Sequence, residues 1–415
     1  RPMTEREMKV FKLMPMLVFM VSLASIMVAC GDDDDDDDDD DSVDDDDSDD
    51  DDDDTSDDDD DDDSNDDPLA LLGSGNHIGY IQGFEETIPE NEAAIALRWE
   101  EAIDAGMSIG RIQIDWTELE PTPGVFDEVV LDEALESLTD RGLKPMLTLS
   151  TIDSEELTFP EDLMEEDHQS LVGGMDLDDP AVIARFDALA AWLVPRFKAA
   201  GGWLITVGNE VDIRSEDYPE DANHIVGFVS GAVDAIHSID PQMPVTVTLT
   251  ASAASDKPQF TSSLMELLDV ACFNFYCQDS MGIVLDASSV SPGIDALLDA
   301  SGDLPLVIQE LGCPAGYEDE VSTIQGTLEK QKAFYEAVWE KLSETEQFRV
   351  AVVFQLLDWS PELTDYYLEW LDGMPQWFID RFEESLRTMG LCRWEDGSER
   401  PSWDAFINGL EMFAE

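Results

Sequence analysis

Two glutamates stand where short apolar runs end. One run closes as Thr206-Val207-Gly208-Asn209-Glu210 and the other as Val307-Ile308-Gln309-Glu310-Leu311-Gly312. Two carboxyl groups held about 5 Å apart can cleave a glycosidic bond with retention of configuration. One protonates the leaving oxygen while the other attacks the anomeric carbon and forms a covalent intermediate. The acid of such a pair needs a raised pKa, and the ionised partner supplies part of that rise. Once the covalent intermediate forms, that charge is gone and the same carboxyl can act as base. The chain is rich in acid, so one glutamate at a strand end is expected by chance. Two on suitable strands, one with asparagine before it, are much harder to obtain that way.

The elements that must hold this pair are legible in the hydropathy pattern. From Pro68 onward short apolar runs alternate with longer amphipathic stretches, as repeated βα units do. Strands are predicted at His77–Phe84, Ser108–Asp115, Lys144–Ser150, Trp203–Gly208, Val245–Thr250, Val270–Tyr276, Leu304–Gln309 and Phe348–Leu356. Helices are predicted at Glu92–Ala105, Pro180–Ala199, Asn223–Ser238 and Gly326–Leu342, with Asp179 placed to cap the second. The strands are almost continuously apolar, as parallel strands covered on both faces must be. Eight such units fit an α/β fold of the (β/α)8 TIM-barrel class, whose site forms at the C-terminal ends of the strands. A doubly wound open sheet is the alternative. No G-x-G-x-x-G turn follows the first strand, so dinucleotide use is not indicated.

At those strand ends the residues resemble the clan-A retaining glycoside hydrolases. Asn209-Glu210 after the fourth predicted strand and Glu310 after the seventh match that clan's pattern. The segment Trp116-Thr117-Glu118-Leu119-Glu120-Pro121-Thr122-Pro123-Gly124-Val125-Phe126-Asp127 is similar to its W-x-x-x-E-P-x-x-G-x-(F/Y) stretch. Asp269 through Asn274-Phe275-Tyr276 looks like the segment that brings a tyrosine to the nucleophile. Gly390-Leu391, Asp396-Gly397 and Arg400-Pro401-Ser402-Trp403 resemble its closing segment, so the resemblance spans residues 76–413. It implies Glu210 as general acid/base and Glu310 as nucleophile. It further implies Asn209 on the sugar 2-hydroxyl, Arg111 and Tyr276 holding Glu310 ionised, and Trp359 and Trp116 as sugar-binding tryptophans. The substrate implied is a poly- or oligosaccharide with a β linkage, its sugar left open, along with endo or exo action.

Charge and cysteine usage narrow the alternatives. The chain carries a formal charge of −77. Residues 32–67 hold 29 aspartates and no basic residue, and the 348 residues beyond carry 17 basic against 67 acidic side chains. Such a chain is repelled by phosphate backbones, which excludes nucleic-acid binding as its business. A saline habitat and plain solubility both fit this charge. Cysteine spacing fits no zinc motif. Only four histidines exist and none ends a predicted strand, so no metal or cofactor is expected and a metal-dependent hydrolase is disfavoured. Cys277 and Cys313 follow neighbouring predicted strands, and a disulfide between them is expected.

The first residues read as an export signal. Met8-Lys9-Val10-Phe11-Lys12 gives a basic start, and Leu13 to Val28 is an apolar run too short and too interrupted to span a membrane. Met27-Val28-Ala29-Cys30-Gly31 resembles a bacterial lipobox, with Met27 where that motif usually carries leucine. It implies lipidation at Cys30 after removal of residues 1–29 as a lipoprotein signal peptide. An ordinary signal peptide cleaved near Ala29 would export the chain equally. Residues 30–67 form an Asp-rich tether that cannot bury apolar surface and is expected to be extended and disordered. Residues 68–415 make the barrel domain. The expectation is therefore a monomeric envelope lipoprotein or secreted protein, touching membrane only through its anchor. A non-catalytic surface carbohydrate-binding lipoprotein on a degenerate barrel is the competing class.

Overall fold

The computed structural model describes residues 76–414 apart from 82–86, 167, 319–320 and 372. The predicted leader, Cys30 and the Asp-rich tether lie outside the described residues. The strands are β1 (His77–Ile81), β2 (Ile109–Asp115), β3 (Lys144–Asp153), β4 (Glu156–Leu157), β5 (Leu204–Asn209), β6 (Val245–Thr246), β7 (Thr248–Thr250), β8 (Ala271–Tyr276), β9 (Leu306–Gly312) and β10 (Phe348–Val353). All pair in parallel except β4, a two-residue antiparallel addition to β3. β5 pairs with β6, and β7 pairs with β8, so the segment Val245–Thr250 closes the ring. That segment is one predicted strand broken at Val247. Eight strand positions with helices outside them form the (β/α)8 TIM barrel.

Helices follow the strands as the sequence signals required. Pro180–Ala199 begins where predicted, and the Asp179 carboxylate accepts the Ala181 backbone N–H at 2.8 Å. Among the described residues no helix is long and apolar enough to cross a membrane.

Inside the ring the side chains change character along each strand. Alternate residues share a face, so Ile109, Arg111 and Gln113 of β2 point inward together. Ile109, Met146, Leu204, Val270, Cys272, Val307 and Val350 fill the floor as one apolar cluster. Above them lies a buried polar layer of Arg111, Thr148, Thr206, Thr248 and Gln309. The upper layer is where the chemistry sits.

Candidate active site

Glu210 and Glu310 both reach the mouth of the barrel, each by a local device. Glu210 has φ 46° and ψ 41°, a left-handed conformation uncommon outside glycine, and it opens the helix Val211–Asp217. Gly208 just before it has φ 112°, and a Cβ there would meet Val211 Cγ1 at 2.9 Å. This kink lets Asn209 and Glu210 turn toward the same centre although they are neighbours in sequence. On β9 the device is a bulge. Phe273 pairs with Ile308, but Asn274 already pairs with Glu310, so Gln309 is the extra residue. A bulge re-aims side chains, and here Gln309 and Glu310 both bond to inward groups.

Glu310 is held from two sides. Arg111 donates through Nη1 to its Oε1 at 2.8 Å, and the Tyr276 hydroxyl donates to Oε2 at 2.6 Å. Arg111 is itself fixed, with Nε on Thr148 Oγ1 at 2.8 Å and Nη2 on Gln113 Oε1 at 2.6 Å. Tyr276 needs Gly312 opposite it, because a Cβ on that residue would lie 2.6 Å from the tyrosine ring. Burial, and then the charge of Glu310, hold the Tyr276 hydroxyl well above its ordinary pKa, so it stays a donor. The arrangement orients the Glu310 carboxyl and sets a guanidinium charge directly against it.

Glu210 is held differently. Its Oε1 accepts from Asn274 Nδ2 at 2.8 Å. Burial first, and then the charge of Glu310, push its carboxyl well above the usual range, with the Asn274 hydrogen bond opposing. Both glutamates are 5% exposed. One carboxyl held protonated beside one held by a cation is the division of labour that acid and nucleophile require.

Asn209 is fully buried in the same network. Its Nδ2 donates to Asp153 Oδ1 at 3.1 Å, and its Oδ1 accepts from Gln309 at 2.9 Å and Asn274 at 3.2 Å. The structure thus brings together Glu210, Glu310, Asn209, Arg111 and Tyr276.

The two tryptophans do not join them. Trp116 is packed among Phe159, Phe186 and Phe228, and its Nε1 donates to Glu120 at 3.0 Å. Glu120 also accepts the Gly124 backbone N–H, so the W-x-x-x-E-P stretch is a structural knot. Trp359 is likewise fully buried, with the Tyr367 ring 4.8 Å away and Leu363, Phe378 and Phe382 in the same cluster. Both tryptophans are core residues. Phe186 and Phe228 of the helices Pro180–Ala199 and Ala222–Ile239 pack on Trp116. Tyr367, Phe378 and Phe382 of the helices Pro361–Leu368 and Gln376–Thr388 share a cluster with Trp359. The closing segment is structural too. Arg400 grips both oxygens of Asp358 at 2.7 Å, and the Gly390 N–H bonds the same carboxyl at 2.8 Å. Just past β10, the buried Phe354 packs edge-on to the Tyr276 ring at 6.0 Å and helps fix that tyrosine. The expected disulfide is present, joining Cys277 just after Tyr276 to Cys313 just after β9.

A second group of carboxyls borders the pair. Asp115 and Asp153 are raised well above the usual range, by burial foremost, and Glu118 and Glu155 are each pushed up to about 7 for the same reason. A group whose folded pKa exceeds its unfolded value stabilises the fold fully below the unfolded pKa. That stability is lost as pH rises through the folded value. The unfolding temperature is therefore expected to fall as buffer is moved from about pH 5 to about pH 8. A calorimetric series that is flat or rises over that window would contradict the burial of these groups.

No family model matches the chain, and no curated protein matches it. Solved structures do match in fold. The GH5_18 protein of Bifidobacterium longum subsp. longum, solved as a point variant in complex with Manβ1-4GlcNAc, superposes with a TM-score of 0.60 at 15% identity, over 81% of this chain and 78% of that one. The GH5_18 protein of Streptomyces cattleya in complex with GlcNAc gives 0.60 at 15% identity, over 82% and 81%. The exo-β-1,4-mannosidase Op5Man5 from Opitutaceae bacterium strain TAV5 gives 0.58 at 17% identity, over 81% of this chain and 59% of that one. At these identities the likeness establishes the TIM-barrel fold, one that glycoside hydrolases use, and the chemistry must be argued from the side chains.

Proposed function

We propose that the chain is a retaining β-glycosidase with Glu210 as general acid/base and Glu310 as nucleophile. The observation that carries this reading is the unequal treatment of the two carboxyls. Arg111 and Tyr276 both donate to Glu310, while Glu210 accepts from the neutral amide of Asn274 and is held protonated by burial and by Glu310. A protein that merely binds sugar has no use for a raised acid beside an oriented anion. With substrate bound, Glu210 protonates the leaving oxygen as Glu310 attacks. The charge on Glu310 is then consumed, Glu210 ionises more readily, and it draws a proton from the incoming water.

The substrate proposed is a neutral β-linked oligosaccharide. Asp115, Glu118, Glu155 and Glu156 crowd the same end of the barrel as the pair, all raised by burial, so a uronate or sulfated sugar would meet like charge that grows as pH rises through about 7. Two fold neighbours were solved with Manβ1-4GlcNAc or GlcNAc and a third is an exo-β-mannosidase, which makes β-mannosides the first to try. The proposal extends to location: a lipid on Cys30, with residues 30–67 as spacer, would present the barrel outside the cell. Wild-type protein should be assayed on aryl β-glycosides, manno-, gluco- and xylo-oligosaccharides, and uronate oligomers. Hydrolysis of a neutral member, with uronates at least about tenfold poorer in kcat/KM, is expected. Glycan binding without hydrolysis across the panel would favour the binding-protein class instead.

A further inference from the structure

The two arms of the site meet at a residue outside the pair. From Glu210 a continuous line of hydrogen bonds runs through Asn274 to Asn209 and on to Asp153. From Glu310 a second line runs through Arg111 to Gln113, and Gln113 Nε2 donates to Asp153 Oδ2 at 2.8 Å. Asp153 is 4% exposed. We infer that Asp153 is a positioning residue of the hydrolytic site: one oxygen holds the acid arm through Asn209, and the other holds the nucleophile arm through Gln113 and Arg111. The inference rests on the glycosidase reading and extends it to a buried residue that does not end a predicted strand.

The backbone is shaped to deliver this carboxyl. Leu149 of β3 pairs with Val207, yet Asp153 pairs with Asn209, so β3 runs four residues while β5 runs two. The slip carries Asp153 alongside Asn209. Ser154 follows with φ 66° and donates its backbone N–H to the Asn209 carbonyl at 2.9 Å. Strained positions of this kind collect at functional sites, and here two of them, Ser154 and Glu210, flank one hydrogen-bonded pair.

The polarity of the network explains why the residue is an aspartate. Arg111 occupies the Gln113 oxygen, so Gln113 must present its NH2 to position 153. Gln309 and Asn274 occupy the Asn209 oxygen, so Asn209 must present its NH2 as well. Only a group that accepts on both oxygens satisfies both sides. An asparagine at 153 sets an NH2 against one of the two, and turning either partner over breaks its bond to Arg111 or to Gln309.

Charge gives the inference a signature beyond geometry. The charged and titratable groups facing Asp153 are Arg111 and Asp115 of β2, Glu156 of β4, Glu210 after β5, Glu310 of β9 and Tyr367 from the helix Pro361–Leu368. Burial raises Asp153 itself, and where pH is high enough to ionise it, its charge adds to the forces that keep Glu210 protonated. Removing its charge lets Glu210 ionise at lower pH.

The test uses Asp153→Asn and Gln113→Met, assayed on a glycoside that wild type hydrolyses. Asp153→Asn should lower kcat by about 10- to 100-fold, the scale of a small misplacement of reacting groups. It should also move the basic limb of the kcat/KM profile to lower pH, by about half a unit or more. Gln113→Met cuts one arm but leaves the charge, so kcat should fall while the basic limb stays. It also carries the test if Asp153→Asn does not fold. A wild-type kcat in either variant overturns the inference. So does a fall in kcat for Asp153→Asn with the basic limb unmoved, which reduces the residue to a structural tie. Wild type is measured first: if it hydrolyses no glycoside, the proposed function fails and takes this inference with it, whereas active wild type with an unaffected Asp153→Asn defeats the inference alone.

Discussion

Glu310→Gln should lower kcat on the best glycoside by about 10⁴-fold or more, the scale seen when a nucleophile is removed from an otherwise intact site. The amide is nearly isosteric, so the reason lies in chemistry rather than packing. Its oxygen still accepts from Arg111, and its NH2 can donate to the Tyr276 hydroxyl, which reverses the direction of a bond now 2.6 Å long. The fold is retained while the anion is lost. Glu210 loses the second-largest cause of its raised pKa, so any residual activity should decline with pH earlier than in wild type. Steady-state kinetics of a folded variant check this directly. A loss of less than about tenfold would mean that Glu310 is not the nucleophile.

Glu210→Ala should separate substrates by their leaving groups. With an alkyl or sugar leaving group the first step needs a proton, and kcat/KM should fall by about 10²- to 10⁴-fold. With a dinitrophenyl leaving group it does not, so the covalent intermediate should still form and then accumulate, because the base that activates water is missing. A burst of dinitrophenol followed by slow turnover is the expected trace. Azide needs no base, so it should restore turnover and yield a glycosyl azide of retained configuration. The basic limb of the pH profile should vanish with this substrate, since Glu210 is the group whose ionisation produces it. An equal loss on both substrate types, without a burst, would remove Glu210 from the acid/base role.

Much of this arrangement could be anticipated from the chain alone. Apolar runs ended near the right residues, and Glu210, Glu310, Asn209, Arg111 and Tyr276 converge in one network. Strand ends are legible because a parallel strand buried on both faces must stop being apolar where it meets solvent. Asp153 and Gln309 were not legible for a different reason. Their inward aim depends on the slips in β3 and β9, and a slip adds a residue without changing hydropathy. The predicted third strand therefore stopped at Ser150, three residues before the one that matters. Trp116 and Trp359 show the converse. An aromatic just past a strand looks the same in sequence whether it lines a cleft or packs beneath a helix, and here both pack.

The central claim is that Glu310 forms the covalent intermediate. The most direct measurement is peptide mapping by mass spectrometry after incubation with a 2-deoxy-2-fluoro glycosyl donor of whichever sugar the enzyme cleaves. Fluorine slows both steps, and a good leaving group lets the first proceed, so the intermediate is trapped. The predicted result is a single fluoroglycosyl adduct on Glu310. An adduct on another carboxyl, or inactivation without any adduct, would contradict the account.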